Sequence, residues 1–153
     1  MQNKETKETT VLDLFLKCCE EFSSRAPFVV TPRKPPEPDC HCAFSNGTNM
    51  YFELSEILDQ NLAQKFYDPK ISFTGGFFTD DILTGRIREK IQKSYQTSGE
   101  CIDLLLYFDL QPGWPEDTMK QEVETLVTQL GKGPFEKILL FSLHQKKIIA
   151  TFG

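Results

Sequence analysis

No apolar run in this chain is long enough to cross a membrane as a helix. The longest candidates are strand-sized and broken by Asp or His, so a helical membrane anchor is excluded. Positive charge is not in surplus either: 17 basic residues against 22 acidic give a net charge of -5, which removes any global attraction for nucleic acid and leaves only a local basic stripe to supply one. Neither Gly75-Gly76 nor Gly131-x-Gly133 has the spacing, or the following Lys-Ser/Thr, of a phosphate-binding loop, and nucleotide hydrolysis of that type is excluded. The Cys-x2-Cys knuckle is missing as well. Cys40-x-Cys42 lies on an apolar strand face with Phe44, and Cys18, Cys19, Cys101, His41 and His144 are the remaining ligand types, so core packing outweighs zinc. The odd cysteine count without a recognisable leader predicts a soluble protein of a reducing compartment, the cytoplasm. There is no internal repeat and no long low-complexity segment.

With 153 residues, 39% of them hydrophobic, the chain holds one sizeable core but not two comfortable domains. The expected division is a flexible polar N-terminus, 1–9, followed by a single domain, 10–153. A first helix is expected from Thr10, whose hydroxyl caps it, with Val11, Leu14, Phe15, Cys18, Cys19 and Phe22 on one face. The proline-rich Thr31–Pro38 segment is an extended connection. It leads into a hairpin: Cys40, Cys42 and Phe44 alternate with Asp39, His41 and Ala43, Asn46-Gly47 turns the chain, and Met50, Phe52 and Leu54 alternate with Tyr51, Glu53 and Ser55.

Beyond the hairpin, EILDQNLAQKF predicts a short helix stopped at Asp68-Pro69, and Asp80–Tyr95 a longer one with Leu83, Ile87 and Ile91 inward and Arg86, Lys90 and Lys93 on a neighbouring face. The apolar CIDLLLYFDL predicts a central strand. A last helix after Thr118 ends at Gly131, and the strands KILLFSL and KIIATF follow. The fold class is therefore α/β, a central mixed sheet flanked by helices on both faces.

Asp39 and Glu53, on adjacent strands, form a carboxylate pair of the kind that holds a divalent cation, the plain alternative being two solvated acids at strand ends. Pro38-Asp39, thirteen intervening residues and Glu53-Leu54-Ser55, set across a hairpin after an amphipathic helix, resemble the PD-(D/E)XK nuclease superfamily, the restriction-endonuclease-like fold. The resemblance extends through the helix and strand order over nearly the whole chain. It implies metal-dependent phosphodiester hydrolysis of DNA or RNA, with Asp39 and Glu53 ligating Mg²⁺ or Mn²⁺ and a helix glutamate, Glu20 or Glu21, assisting; Glu56 adds a carboxylate beside the motif.

Ser55 occupies the position of the family's lysine, and a hydroxyl cannot supply that positive charge. Lys65, Lys90 or Lys93 are the candidates to supply it from elsewhere, with Lys90 and Lys93 favoured as displaced catalytic groups. His41, on the Asp39 side of its strand, is a further site candidate beside the plainer hydrogen-bonded histidine. Without a substitute lysine the expected alternative is an inactive nuclease-like module that binds a protein partner or dimerises, with Trp114 or Phe77-Phe78 as anchors.

Overall fold

The computed structural model describes residues 3–58, 81–109 and 116–153. The first helix, α1 (Lys4–Cys18), begins a turn and a half before Thr10, because the Asn3 side chain caps it by accepting from the Thr6 N–H at 2.8 Å. The polar run before Val11 is thus helical, and Thr10 is an interior residue whose hydroxyl bonds the Thr6 carbonyl. Extended backbone at Cys19 ends α1, and the short α2 (Glu20–Ser23) restarts in a new direction. The break corrects the expected stripe. Val11, Leu12, Phe15 and Leu16 are buried, Phe22 joins them from α2, and Cys18 is exposed rather than part of the core.

Residues Phe28–Pro32 form an edge strand, β1, that the sequence reading did not contain; five residues closed by prolines carry little periodic signal, and Pro32 is tolerated because no described strand lies beyond it. The hairpin is β2 (Cys40–Phe44) and β3 (Asn49–Leu58), with Cys40 opposite Phe52 and His41 opposite Tyr51. β3 continues through Glu56 to Leu58 where a helix was expected to start, because it pairs along that length with β4 (Ile102–Phe108). The rest of the expected Glu56–Phe66 helix lies outside the described residues, as do Lys65, Gly75-Gly76, Phe77-Phe78 and Trp114. Helix α3 (Asp81–Gln92) precedes β4, and α4 (Glu116–Leu130), three residues longer at its start than expected, precedes β5 (Lys137–Ser142) and β6 (Lys147–Phe152).

These strands form one six-stranded mixed sheet in chain order, β1 to β6, antiparallel at both ends and parallel across β3, β4 and β5. Period-two alternation splits each central strand between two cores. Leu105, Tyr107, Leu139, Phe141, Phe52 and Leu54 pack with α1 and α2 on one face. Leu104, Leu106, Phe108, Ile138 and Leu140 pack with Ile87 and Ile91 of α3 and Met119, Val123 and Leu126 of α4 on the other. The α/β class and the helices on both faces are as expected.

Phe15 anchors the first core, with ring centroids 5.4, 5.7 and 6.0 Å from Phe141, Phe22 and Phe52. Burial of such a ring contributes about 1.5–3 kcal/mol. Cys40 and Cys42 sit in that core, and burial pushes both thiols up to about 12. Gly133 fixes the seat of α3, since a Cβ there would lie 2.0 Å from the Ile91 carbonyl oxygen. No described helix is long and apolar enough to cross a membrane.

Candidate functional site

The ladder between β2 and β3 runs out at Cys40 and Phe52, and the next residues on either side are Asp39 and Glu53. Here side chains take over the strand pairing. The Asp39 N–H donates to Glu53 Oε1 at 2.9 Å, and the Leu54 N–H donates to Asp39 Oδ2 at 3.0 Å. The two acids are locked together by backbone donors, and beyond Leu54 this side of β3 has no strand neighbour among the described residues.

Glu53 is 2% exposed and fully committed. Lys90 Nζ, reaching in from α3, donates to its Oε2 at 2.7 Å, and the Tyr95 hydroxyl donates to the same oxygen at 2.9 Å. Desolvation and the Asp39 charge raise the Glu53 pKa against the pull of Lys90. For Lys90, burial works toward the neutral amine, yet the bond to Glu53 and the charges of Glu53, Asp39 and Glu8 raise its pKa, so the site holds an ammonium. Burial and Glu53 likewise raise the Tyr95 phenol, which stays a donor.

Glu8 arrives from α1 on the other face of the sheet. Burial, then a hydrogen bond to the Asp39 side chain and the Asp39 charge, lift its pKa to about 8. Burial pushes Asp39 the same way but is outweighed by hydrogen bonds from Glu8, Leu54 and Glu53 and by Lys90, which hold its carboxyl below the usual range. Glu8 therefore keeps the proton and donates it to an ionised Asp39. Perturbed pKa values gathered from separate elements around one point are a mark of functional sites.

Of the residues expected at the site, Asp39, Glu53 and Lys90 come together. Ser55 lines the adjoining cleft of about 370 Å³, with Lys4, Lys7, Glu8, Leu54, Glu56, Arg86, Lys90 and Tyr107. Glu56 bonds Lys7 at 2.7 Å and is a wall of that cleft. Glu20 and Glu21 lie on α2, and Glu21 pairs with Arg25 and with Lys137 of β5, two strands from Glu53. Lys93 lies past the end of α3 with its ammonium over the Tyr95 ring, 5.4 Å from the centroid. His41 bonds Glu100 at 3.0 Å and packs edge-on against Tyr51.

The residues the sequence reading missed are Glu8 and Tyr95. Glu8 was legible: it precedes Val11, Leu12 and Phe15 by three, four and seven, which places it on the buried stripe of α1 once the helix extends to Lys4. Tyr95 follows the helix end in an irregular segment and carries no such signal.

Among the described residues no group of three or more His, Cys, Asp and Glu side chains is arranged to hold a metal ion. The oxygen donors of Asp39, Glu53 and Glu8 nonetheless have the chemistry of a hard cation's ligands, and a magnesium-sized ion needs only one or two carboxylates, keeping water and substrate oxygens for the rest. What the arrangement provides is a buried carboxylate pair, a protonated acid and an ammonium at the mouth of a polar cleft. No family model, curated protein or solved structure matches this chain.

Proposed function

We propose that this cleft is a nuclease-like site for divalent-metal-dependent phosphodiester hydrolysis of DNA or RNA, with Lys90 in the role that Ser55 cannot fill. The observation that carries the reading is the 2.7 Å contact between Lys90 Nζ and Glu53 Oε2, which sets a buried ammonium beside the motif glutamate from a helix instead of from the strand. The order of α1, the β1–β2–β3 meander, α3 and β4 is also compatible with the restriction-endonuclease-like fold, and Glu8 occupies the kind of helix position expected of the assisting glutamate.

Asp39 and Glu53 would hold Mg²⁺ or Mn²⁺, which supplies Lewis-acid polarisation of a phosphoryl oxygen and acidifies water. Lys90 orients the attacking water and offsets charge growing on the phosphoryl oxygens. Water adds to phosphorus and releases a proton to solvent, the ester P–O bond breaks, and the departing alkoxide takes up a proton from solvent. Glu8, protonated near neutral pH, keeps a proton within this cluster. Tyr95 fixes the Glu53 carboxylate from the side opposite Asp39's backbone, so the pair is oriented before substrate arrives.

The test is cleavage of single- and double-stranded DNA and RNA with each cation, alongside Asp39→Ala, Glu53→Ala and Lys90→Ala. Loss of about 10²-fold or more in each folded variant is expected, the magnitude of a lost charge-stabilising group. Cleavage that survives both carboxylate substitutions, or absence of metal binding by calorimetry, rejects the mechanism.

A second reading is favoured by one observation: every Glu53 oxygen already has a protein partner, so the network can serve as a polar clasp joining α3 to the hairpin in an inactive module that binds a protein or a second copy. Metal binding without cleavage, together with loss of stability in the same variants, would select it.

A further inference from the structure

The chain as a whole is acidic, yet four of the nine residues around the cleft are basic: Lys4 and Lys7 on α1, Arg86 and Lys90 on α3. Lys90 is taken up by Glu53. Lys4 is exposed, Lys7 Nζ lies 2.7 Å from the Glu56 carboxylate, and the half-buried Arg86 donates from Nη1 to the Glu56 carbonyl at 2.9 Å. The Lys7–Glu56 pair is half exposed on the lysine side, a kind of pair worth little and exchanged readily for another anion. The cleft floor is Leu54 and the buried Tyr107 ring, and the Ser55 hydroxyl lines it as well.

We propose that Lys4, Lys7 and Arg86 form a phosphate-binding lane that holds the backbone of a single nucleic-acid strand next to the Asp39–Glu53–Lys90 cluster, Lys7 leaving Glu56 for a substrate phosphate. This rests on the nuclease reading and adds to it the substrate's form and the residues that seat it. Two arguments select a single strand. A space of about 370 Å³ lies toward the small end of ligand pockets, about 300–1,000 Å³, which suits one nucleotide unit at a time rather than a duplex. The cations also line two sides of one cleft, Lys4 and Lys7 on α1 and Arg86 on α3, the arrangement of a groove that follows one backbone, rather than spreading over a face as a duplex requires. Spacing matters here too: Lys4 and Lys7 are three apart on α1 and so project from the same side, as successive contacts along one strand need.

The experiment is fluorescence anisotropy with a labelled twelve-nucleotide single strand of DNA, in EDTA so that hydrolysis cannot intervene, over a salt series. Lys4→Gln/Lys7→Gln is compared with wild type and with Lys17→Gln/Lys34→Gln, a remote pair with the same charge change. Each phosphate contact to a single strand contributes about 0.7 to the slope of log K against log salt, so the cleft double variant is expected to lose about 1.4 from that slope and to bind at least about fivefold more weakly at low salt. The remote variant is expected to match wild type. The matching duplex and a nucleoside monophosphate serve as further arms, both expected to bind more weakly than the strand.

Equal loss in the two double variants, no binding by wild type, or duplex binding as tight as the single strand overturns the proposal; so does a monophosphate that binds as tightly, because a lane requires consecutive phosphates. Thermal melting checks that the exposed lysines are not needed for folding. Normal single-strand binding with the expected lysine effect, but no cleavage in magnesium or manganese, would remove the hydrolytic reading and leave the lane. Intact cleavage with unaltered binding in the cleft variant would do the reverse.

Discussion

Two carboxylates are buried on adjacent strands of the sheet, on opposite faces, and they meet opposite fates. Asp103, 3% exposed at the start of β4, accepts from the Lys137 N–H of β5 at 3.2 Å, and burial, partly offset by Lys137, raises its pKa to about 6. Glu53, one strand over, is as deeply buried but draws Lys90 from α3, Tyr95 from the segment after it and the backbone of Asp39, with Glu8 close by from α1. The difference is in the strands, not in the acids. Beside Asp103 the ladder between β4 and β5 is continuous and a single backbone donor suffices. Beside Glu53 the ladder from β2 has ended, and side chains from three other elements fill the opening. A burial site in an unbroken sheet is a peg; at a broken edge it becomes a site.

The largest expected effect comes from removing the ammonium. Lys90→Ala leaves Glu53 buried without its charge partner and is expected to cost about 3–5 kcal/mol by urea unfolding. A loss under 1 kcal/mol would mean that Glu53 protonates at no cost, and would erase the distinction from Asp103.

Glu8→Gln is expected next. Because the folded pKa of Glu8 lies above its ordinary 4.5, the stability it gives is present below that value and is lost as pH rises toward about 8; Gln remains a neutral donor throughout. Over this window the wild type should lose stability relative to the variant, on the order of 2–3 kcal/mol after discounting for relaxation, on top of the decline that Asp103 and Glu53 give both proteins. Asp39 runs the other way: its depressed pKa contributes stability above 3.8 that is lost as pH falls through the folded value, so the wild type should be most stable in mildly acidic solution. Denaturation in EDTA at pH 4.5, 6 and 8.5 measures both, and a parallel decline in the variant would contradict the assignment of the proton to Glu8.

Asp103→Asn should have the smallest effect. The amide oxygen can keep the bond from Lys137, and the charge that burial disfavours above about pH 6 is gone, so the variant is expected to lie within about 1 kcal/mol of wild type at pH 5 and to gain on it by pH 8. Destabilisation that grows with pH would show that Asp103 acts as a charged group after all.

Much of this contrast was legible in the residues. The hairpin could be read because Cys40, Cys42 and Phe44 alternate with polar neighbours around Asn46-Gly47, and that alone puts Asp39 next to Glu53. Lys90 was a candidate because it shares with Arg86 and Lys93 the helix face next to the apolar stripe of Leu83, Ile87 and Ile91. Glu8 was hidden by an assumption about the cap: placing the helix start at Thr10 left the acid outside the element that carries it. β1 was hidden for lack of length, and its second residue, Val29, is apolar yet exposed, so the sequence does not show which face is buried. Choosing among Lys65, Lys90 and Lys93 needed approach in space, which spacing along the chain does not encode.

The pairing of Cys40 with Phe52 and His41 with Tyr51 has one more consequence. In an antiparallel hairpin the numbers of facing residues have a constant sum, so Asp39 faces Glu53 only while the count between them preserves that sum about the turn near Asn46. Lengthening both strands alike adds residues in twos and keeps the acids together. A single inserted residue, unless absorbed as a bulge, swings Glu53 to the opposite face, away from Lys90. The interval of thirteen is therefore a ruler marked only in odd numbers, and distant kin of this chain should be sought at eleven or fifteen before twelve or fourteen.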